Sequence, residues 1–279
     1  MTVLIIGASS QIGHFLLPRL LDSGEPVLAL SRHPRQSSAG IEWLQGSLPD
    51  AVPPLPPLSA IISFGPLMPF AQWLRKTPQT SVTRIIATSS MSAQSKQHSS
   101  VPAERDISQL LRDGEAALAD ACDRQGCAWT VLRPTLVYGA GLDKSLTPIA
   151  RRAAKLRLFP LPAARGMRQP VHADDIAQAV IAALERPASA GQVLSIGGGE
   201  RLSAHDMFAR VHRSLAKPTL VLPLPAALLR IAHALLPHAR GPLSRLNADL
   251  VADNEALQRL LDVRPRAFQP DASMWVPPA

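Results

Sequence analysis

Aromatic residues are scarce. They make up 4% of the 279 residues, and Tyr138 is the one tyrosine. Any chemistry that needs a phenolic hydroxyl therefore has a single candidate. Cysteine is scarcer still, with only Cys122 and Cys127. They are not spaced C-x-x-C and no Cys/His cluster surrounds them, which excludes a disulfide framework and a thiolate metal site. We expect two reduced, buried thiols in a cytoplasmic protein that holds no metal. An unbroken apolar run of membrane length is also missing. The longest stretch, Leu220 to Leu236, contains Pro223, Pro225, Arg230 and His233, so it does not read as a spanning helix. Strand-like residues begin at Thr2, with no basic leader and cleavage site ahead of them. No membrane partner is expected.

Runs of basic residues are absent too. The net charge is +8, yet the 29 lysines and arginines are spread along the chain. That spacing argues against nucleic acid and for a generally basic surface with a local anion site. Hydrophobic residues at 46% and charged residues at 18% describe a globular chain with a full core.

What is present begins with a strand. Thr2 to Ile6 is a continuous β-branched, apolar run of the kind buried on both sheet faces. It ends in Gly7-Ala-Ser-Ser-Gln-Ile-Gly13, and an apolar helical pattern follows through Ile12, Leu16, Leu17, Leu20 and Leu21. Further strands are predicted at 26–30, 41–44, 60–63, 84–88, 129–132 and 192–196. The clearest helices are predicted at 110–121 and 175–184. Strand alternating with helix predicts an α/β fold, a Rossmann-type doubly wound parallel sheet of about seven strands. Val52-Pro-Pro-Leu-Pro-Pro-Leu58 is too rich in proline for a helix and predicts an extended crossover. After Ile196 the pattern becomes mostly helical: a helix capped by Ser203, an apolar stripe of Leu224, Leu228, Ile231 and Leu235, and a helix over 247–261. The expected domains are a dinucleotide-binding one from 1–135 and 170–197, and a smaller substrate-binding part from 136–169 and 198–279.

A strand, a glycine-bounded turn and a helix N-terminus form a pyrophosphate cradle, because free backbone N–H groups and the helix dipole both favour an anion. This assigns Gly7, Ser9, Ser10, Gln11, Ile12 and Gly13 to the cofactor. Ser31 and Arg32 follow the second strand, where an acidic residue would bind the ribose hydroxyl of NAD. A serine and an arginine there suit a 2′-phosphate and favour NADP, with NAD as the alternative.

Four segments resemble the short-chain dehydrogenase/reductase superfamily, in its extended and atypical branch of NAD-dependent epimerase/dehydratase type. They are Gly7–Gly13, Arg84-Ile-Ile-Ala-Thr-Ser-Ser90, Leu132-Arg-Pro-Thr-Leu-Val-Tyr-Gly139 and Val171-His-Ala-Asp-Asp-Ile-Ala177. The resemblance covers about the first two hundred residues. It implies that Ser63, Phe64, Gly65, Thr88, Ser89 and Pro134 line the cofactor, that Ser90 bonds the substrate oxygen, and that Tyr138, Arg168 and His172 face the substrate. The chain departs from the family where chemistry is concerned. Ser10 replaces the middle glycine, and Ser47 stands where an acid often lies near the adenine. The family's Tyr-x-x-x-Lys pair is missing: counting back from Glu115, its positions hold Ile107 and Leu111, neither of which moves a proton. Two expectations follow. One is an NADP-dependent oxidoreductase or epimerase/dehydratase acting on a small polar substrate without that pair. The other is a protein that binds the cofactor as a sensor or scaffold without catalysis. A homodimer is compatible with either.

Overall fold

The computed structural model describes residues 2–77, 81–228 and 245–278. Two compact units are present, each assembled from three stretches of chain. Unit 1 comprises Met1–Pro134, Asp174–Ile196 and Asp253–Arg264, and unit 2 comprises Thr135–Ala173, Gly197–Ala252 and Pro265–Ala279.

Unit 1 is a seven-stranded parallel sheet. In chain order its strands are β1 (Val3–Ile6), β2 (Val27–Ser31), β3 (Ile41–Gln45), β4 (Ala60–Ser63), β5 (Arg84–Thr88), β6 (Ala128–Pro134) and, after four strands of unit 2, β11 (Gln192–Ile196). The spatial order is β11-β6-β5-β4-β1-β2-β3, all parallel, so the strand order reverses between β1 and β4. All seven predicted strands are found in this sheet, and the doubly wound fold is as expected. Helices α1 (Gln11–Asp22), α2 (Leu67–Lys76), the short α3 (Ser92–Ser95), α4 (Pro102–Gln125) and α6 (Ala173–Glu185) join them. Leu4, Ile61, Ile85 and Val131 supply the sheet's side of one core, and Phe70, Trp73, Leu74 and Leu118 fill it from α2 and α4. The proline-rich 52–58 stretch is extended, as predicted. Cys122 and Cys127 are free, buried thiols at the junction of α4 and β6. The neighbouring Cys127 thiol first, and then burial, push the Cys122 thiol well above the ordinary range.

Among its described residues unit 2 contains three pairs of short strands: β7 (Val137–Tyr138) with β10 (Val171–His172), β9 (Met167–Arg168) with β12 (Leu202–Ser203), and β8 (Leu158–Pro162) with β13 (Leu220–Leu224). Helices α5 (Leu146–Leu156) and α7 (Ala204–Arg213) pack on them. Ser203 caps α7 by accepting from the Asp206 N–H at 3.0 Å, as predicted. Tyr138, Phe159, Phe208, Phe268 and Trp275 form the core.

Three expectations change. The sequence reading placed all of 198–279 in the smaller part, but Asp253–Arg264 belongs to unit 1. There the helix Glu255–Leu261 buries Leu257 and Leu261 beside β11. The helix predicted over 247–261 is therefore shorter. Residues 249–252 are not helical, because Leu250 bridges to Arg168 and the Asp249 carboxylate accepts from the Met167 N–H at 2.7 Å. The stripe predicted from Leu224 fails at its start: Leu224 lies in β13, paired with Pro162. Leu228 is exposed, and Ile231 and Leu235 lie outside the described residues. Among the described residues no helix is long and apolar enough to cross a membrane.

Candidate functional site

In a parallel sheet the loops that follow strand C-termini gather along one edge, and a reversal of strand order opens a crevice there. In unit 1 the residues assigned to the cofactor fall on that edge. Gly7 follows β1, Ser31 ends β2, Ser63 ends β4, Thr88 ends β5 and Pro134 ends β6.

The turn after β1 is tightly built. Gly7 has φ +81°, a left-handed conformation costly for any side chain. The Ser10 N–H donates to its carbonyl at 2.9 Å. Ser10 then caps α1, its Oγ accepting from the Gly13 N–H at 3.2 Å. A Cβ on Gly13 would lie 2.0 Å from the Ala8 carbonyl oxygen, so the helix seats against the turn only with glycine there. No acidic residue lies in the first turn of α1. The positive end of its dipole is thus unopposed by a carboxylate in that turn. Ser9 is exposed, Gln11 half-buried and Ile12 buried. In the adjacent loop Phe64 donates its N–H to the Ile6 carbonyl at 2.9 Å, and its Cβ would lie 3.2 Å from a side chain on Gly7. The buried Ser63 hydroxyl accepts from the Gly65 N–H at 3.3 Å.

At the end of β2 the Ser31 hydroxyl accepts from the His33 N–H at 3.2 Å. Arg32 is exposed, and among the described residues its guanidinium has no hydrogen-bonding or ionic partner. Arg35 lies nearby in sequence and stacks over Trp43 at 5.0 Å. This corner of the sheet is cationic.

At the end of β5 the Ser89 N–H donates to the Leu132 carbonyl at 2.8 Å, while its buried Oγ has no partner among the described residues. A buried hydroxyl without a partner is costly, and a ligand that pairs with it removes the penalty. The Ser90 Oγ accepts from the Ser92 N–H at 3.1 Å. The Pro134 carbonyl accepts from the Met91 N–H at 2.9 Å. Helix α4 holds this loop in place: Ser108 Oγ donates to the Ala93 carbonyl at 2.6 Å, and Arg112 donates to the same carbonyl at 3.1 Å. Ile107 is exposed and Leu111 half-buried on this helix.

Sequence reasoning missed the ion pair that ties α4 to β6. Arg133 Nε donates to Glu115 Oε1 at 2.8 Å, with a second, shorter bond between the same groups. Both side chains are largely buried. The signal was available, since Arg133 sits inside the Leu132-Arg-Pro segment and Glu115 lies in register with the apolar Leu118 and Cys122 of its helix. Asp174 and Asp175 begin α6, and Asp174 pairs with Arg19 of α1 at 2.7 Å.

Unit 2 holds the residues assigned to substrate, and their surroundings alter that assignment. Tyr138 is fully buried, its ring edge-on to His172 at 5.1 Å and to Phe268 at 4.8 Å. It is core. His172 is buried against the Tyr138 ring. Arg168 was expected to meet an anionic substrate, but its guanidinium donates to the carbonyls of Met167 at 2.8 Å and Ala248 at 2.6 Å, and also to that of Arg245. Burial pulls its pKa down, while the charge of Asp249 acts the other way. Three carbonyls clamp this arginine within unit 2, which is a structural use of the cation rather than an open anion receptor.

Residues 112–197 match the model of the NAD dependent epimerase/dehydratase family. A (4-alkanoyl-5-oxo-2,5-dihydrofuran-3-yl)methyl phosphate reductase of Streptomyces griseus subsp. griseus is 26% identical over 224 residues, 77% of this chain and 74% of that enzyme. A UDP-glucose 4-epimerase of Vibrio cholerae is 29% identical over 98 residues, 34% of this chain and only 29% of the epimerase. Among solved structures, UDP-glucuronic acid 4-epimerase from Bacillus cereus in complex with NAD superposes with a TM-score of 0.74 at 15% identity, covering 99% of this chain and 97% of that one. At that identity the likeness is one of fold.

Proposed function

From a chain with the Rossmann fold of the extended short-chain dehydrogenases, and a central segment of the NAD dependent epimerase/dehydratase type, we propose an NADP(H)-binding oxidoreductase that works on a small polar substrate without a Tyr–Lys pair. The observation that carries the cofactor reading is Arg32. It is an exposed cation without a partner among the described residues, following Ser31 at the end of β2, where the dinucleotide's adenosine ribose would lie. The Gly7–Gly13 turn and the first turn of α1 would hold the pyrophosphate, and Ser31 with Arg32 the 2′-phosphate. The loops of Ser63–Gly65, Thr88–Ser90 and Pro134 would line the remainder, with the unpartnered Ser89 hydroxyl available to it. The chemistry such a cofactor supplies is reversible two-electron transfer at its nicotinamide ring.

The chain's own residues would do the rest. Ser90 would orient the substrate oxygen through its hydroxyl. Ile107 and Leu111 cannot pass a proton to that oxygen, and the buried Tyr138 is no substitute, so the proton would come from solvent or from the substrate itself. The match to a reductase over about three-quarters of both chains supports reduction more than epimerisation. The same absence of a Tyr–Lys pair favours a second reading, cofactor binding without turnover.

The test titrates NADPH and NADH against the wild type and Arg32→Ala, then screens NADPH oxidation and NADP reduction over small carbonyls and alcohols. We expect NADPH to bind more tightly and Arg32→Ala to lose about ten- to hundred-fold, the value of one charge-assisted hydrogen bond of roughly 1.5–3 kcal/mol. Turnover should survive Tyr138→Phe and fall in Ser90→Ala. Equal affinity for the two cofactors would overturn the NADP preference. Tight binding with no turnover across the panel would establish the non-catalytic reading.

A further inference from the structure

We propose that the outer face of the β8–β13 strand pair in unit 2 docks on an anionic lipid surface. Side chains alternate across a strand pair, so residues at every second position share a face. Parallel pairing sets Leu158 beside Leu220 and Pro160 beside Leu222. The opposite face is better covered, with Phe159 fully buried in the core with Tyr138 and Phe268, Leu161 and Val221 half-buried and Pro223 exposed. The outer face is not: Leu220 is 72% exposed, Leu222 44% and Leu158 36%, and Leu156 at the end of α5 adds 63%. Single exposed leucines are ordinary, but a contiguous group on paired strands is an interaction surface.

The charges around it say what kind of surface it meets. Between Asp143 and Asp174 the sequence holds seven lysines and arginines and no acid. Between Asp206 and Leu228 it holds Arg210, Arg213 and Lys217 and again no acid. These are the two stretches that supply β8 and β13. Arg157 lies at the head of both strands, its Nη1 donating to the Pro218 carbonyl at 3.0 Å. Lys155, two residues before Arg157, and Lys217, next to Pro218, are both exposed. Leucines and prolines flanked by the exposed Lys155, Arg157 and Lys217 match the boundary of an anionic bilayer, where acyl chains take the apolar groups and headgroups the charges. A pattern of this kind needs no shape-complementary partner. It is also compatible with the lack of a spanning helix among the described residues, since docking is peripheral.

The experiment is flotation of the full chain with vesicles of phosphatidylcholine alone, or of phosphatidylcholine containing about one third phosphatidylserine. Binding to the anionic vesicles and not to the neutral ones, weakened by salt, is expected. The double variant Leu220→Ser, Leu222→Ser should lose roughly tenfold or more in partitioning. Lys155→Glu with Lys217→Glu should lose at least about 25-fold, each cation near the surface contributing roughly fivefold. These side chains are exposed, so circular dichroism and NADPH affinity should match the wild type and separate a docking defect from misfolding. Equal binding to both vesicle types, no binding to either, or wild-type partitioning in both variants would overturn the proposal. So would a concentration-dependent dimer that the leucine variant abolishes, which would make the face a contact between copies.

Discussion

A residue in this protein is constrained by what its neighbours leave room for, and Gly13 shows how tightly. With the Ala8 carbonyl oxygen 2.0 Å from where a Cβ would stand, even alanine must push the turn and α1 apart. Gly13→Ala is expected to lower stability by roughly 1–3 kcal/mol, the usual cost of overpacking, and to abolish NADPH binding because the cradle opens. Urea denaturation and fluorescence titration check both; a variant that keeps the wild-type midpoint and affinity would mean the turn is not the cofactor seat. Arg168 shows the opposite relation, in which a residue type points one way and its neighbours another. An arginine before His172 suggests an anion receptor, yet three carbonyls consume its guanidinium.

At the scale of elements, α4 is the member whose limits were hardest to read. The helix expected over 110–121 runs from Pro102 to Gln125, with proline in its first turn and Gly126 as a left-handed cap at φ +67°. Its first half was obscured because Ile107 and Leu110 are exposed, so no apolar stripe marks it. The helix is anchored instead by polar contacts, Ser108 and Arg112 to Ala93 and Glu115 to Arg133. The last pair is largely buried, with side chains 7% and 15% exposed. Glu115→Gln leaves the guanidinium without its counter-charge and should cost roughly 3–5 kcal/mol, read as a lower urea midpoint. The exposed pair Lys76–Asp50 offers the contrast, and Lys76→Met should change stability by less than about 1 kcal/mol.

At the scale of the whole molecule, the interleaving of the two units has a direct consequence. Unit 1 takes β11 and α6 from beyond residue 173, and β11 pairs with β6 along five residues. A chain ending at Pro134 therefore lacks the strand that covers β6. It also loses α6, in which Ile176, Ala177 and Val180 are fully buried. Such a fragment should bind a hydrophobic dye and show no cooperative melting, whereas the full chain melts cooperatively. A sharply melting 1–134 fragment would show that the five strands β1, β2, β4, β5 and β6, with β3 at the edge, suffice on their own.

The division between what was legible and what was not follows from range. Strands β1 to β6 and β11, the glycine turn and the Ser203 cap are all local. Each is written in the spacing of adjacent residues, because burial on both faces and cap geometry act within a few positions. The sequence by itself thus determined the sheet and the position of the glycine turn that follows β1. Only the tertiary structure decided what the polar groups meet: Arg133 finds Glu115 across 18 residues, and Arg168 finds a carbonyl 80 residues away. It also decided that Tyr138 is core, that Glu255–Leu261 joins the first unit, and that Leu158 and Leu220 share one exposed face. These outcomes depend on which distant elements pack together, and no local pattern records the partner of a side chain whose neighbour arrives from elsewhere in the chain.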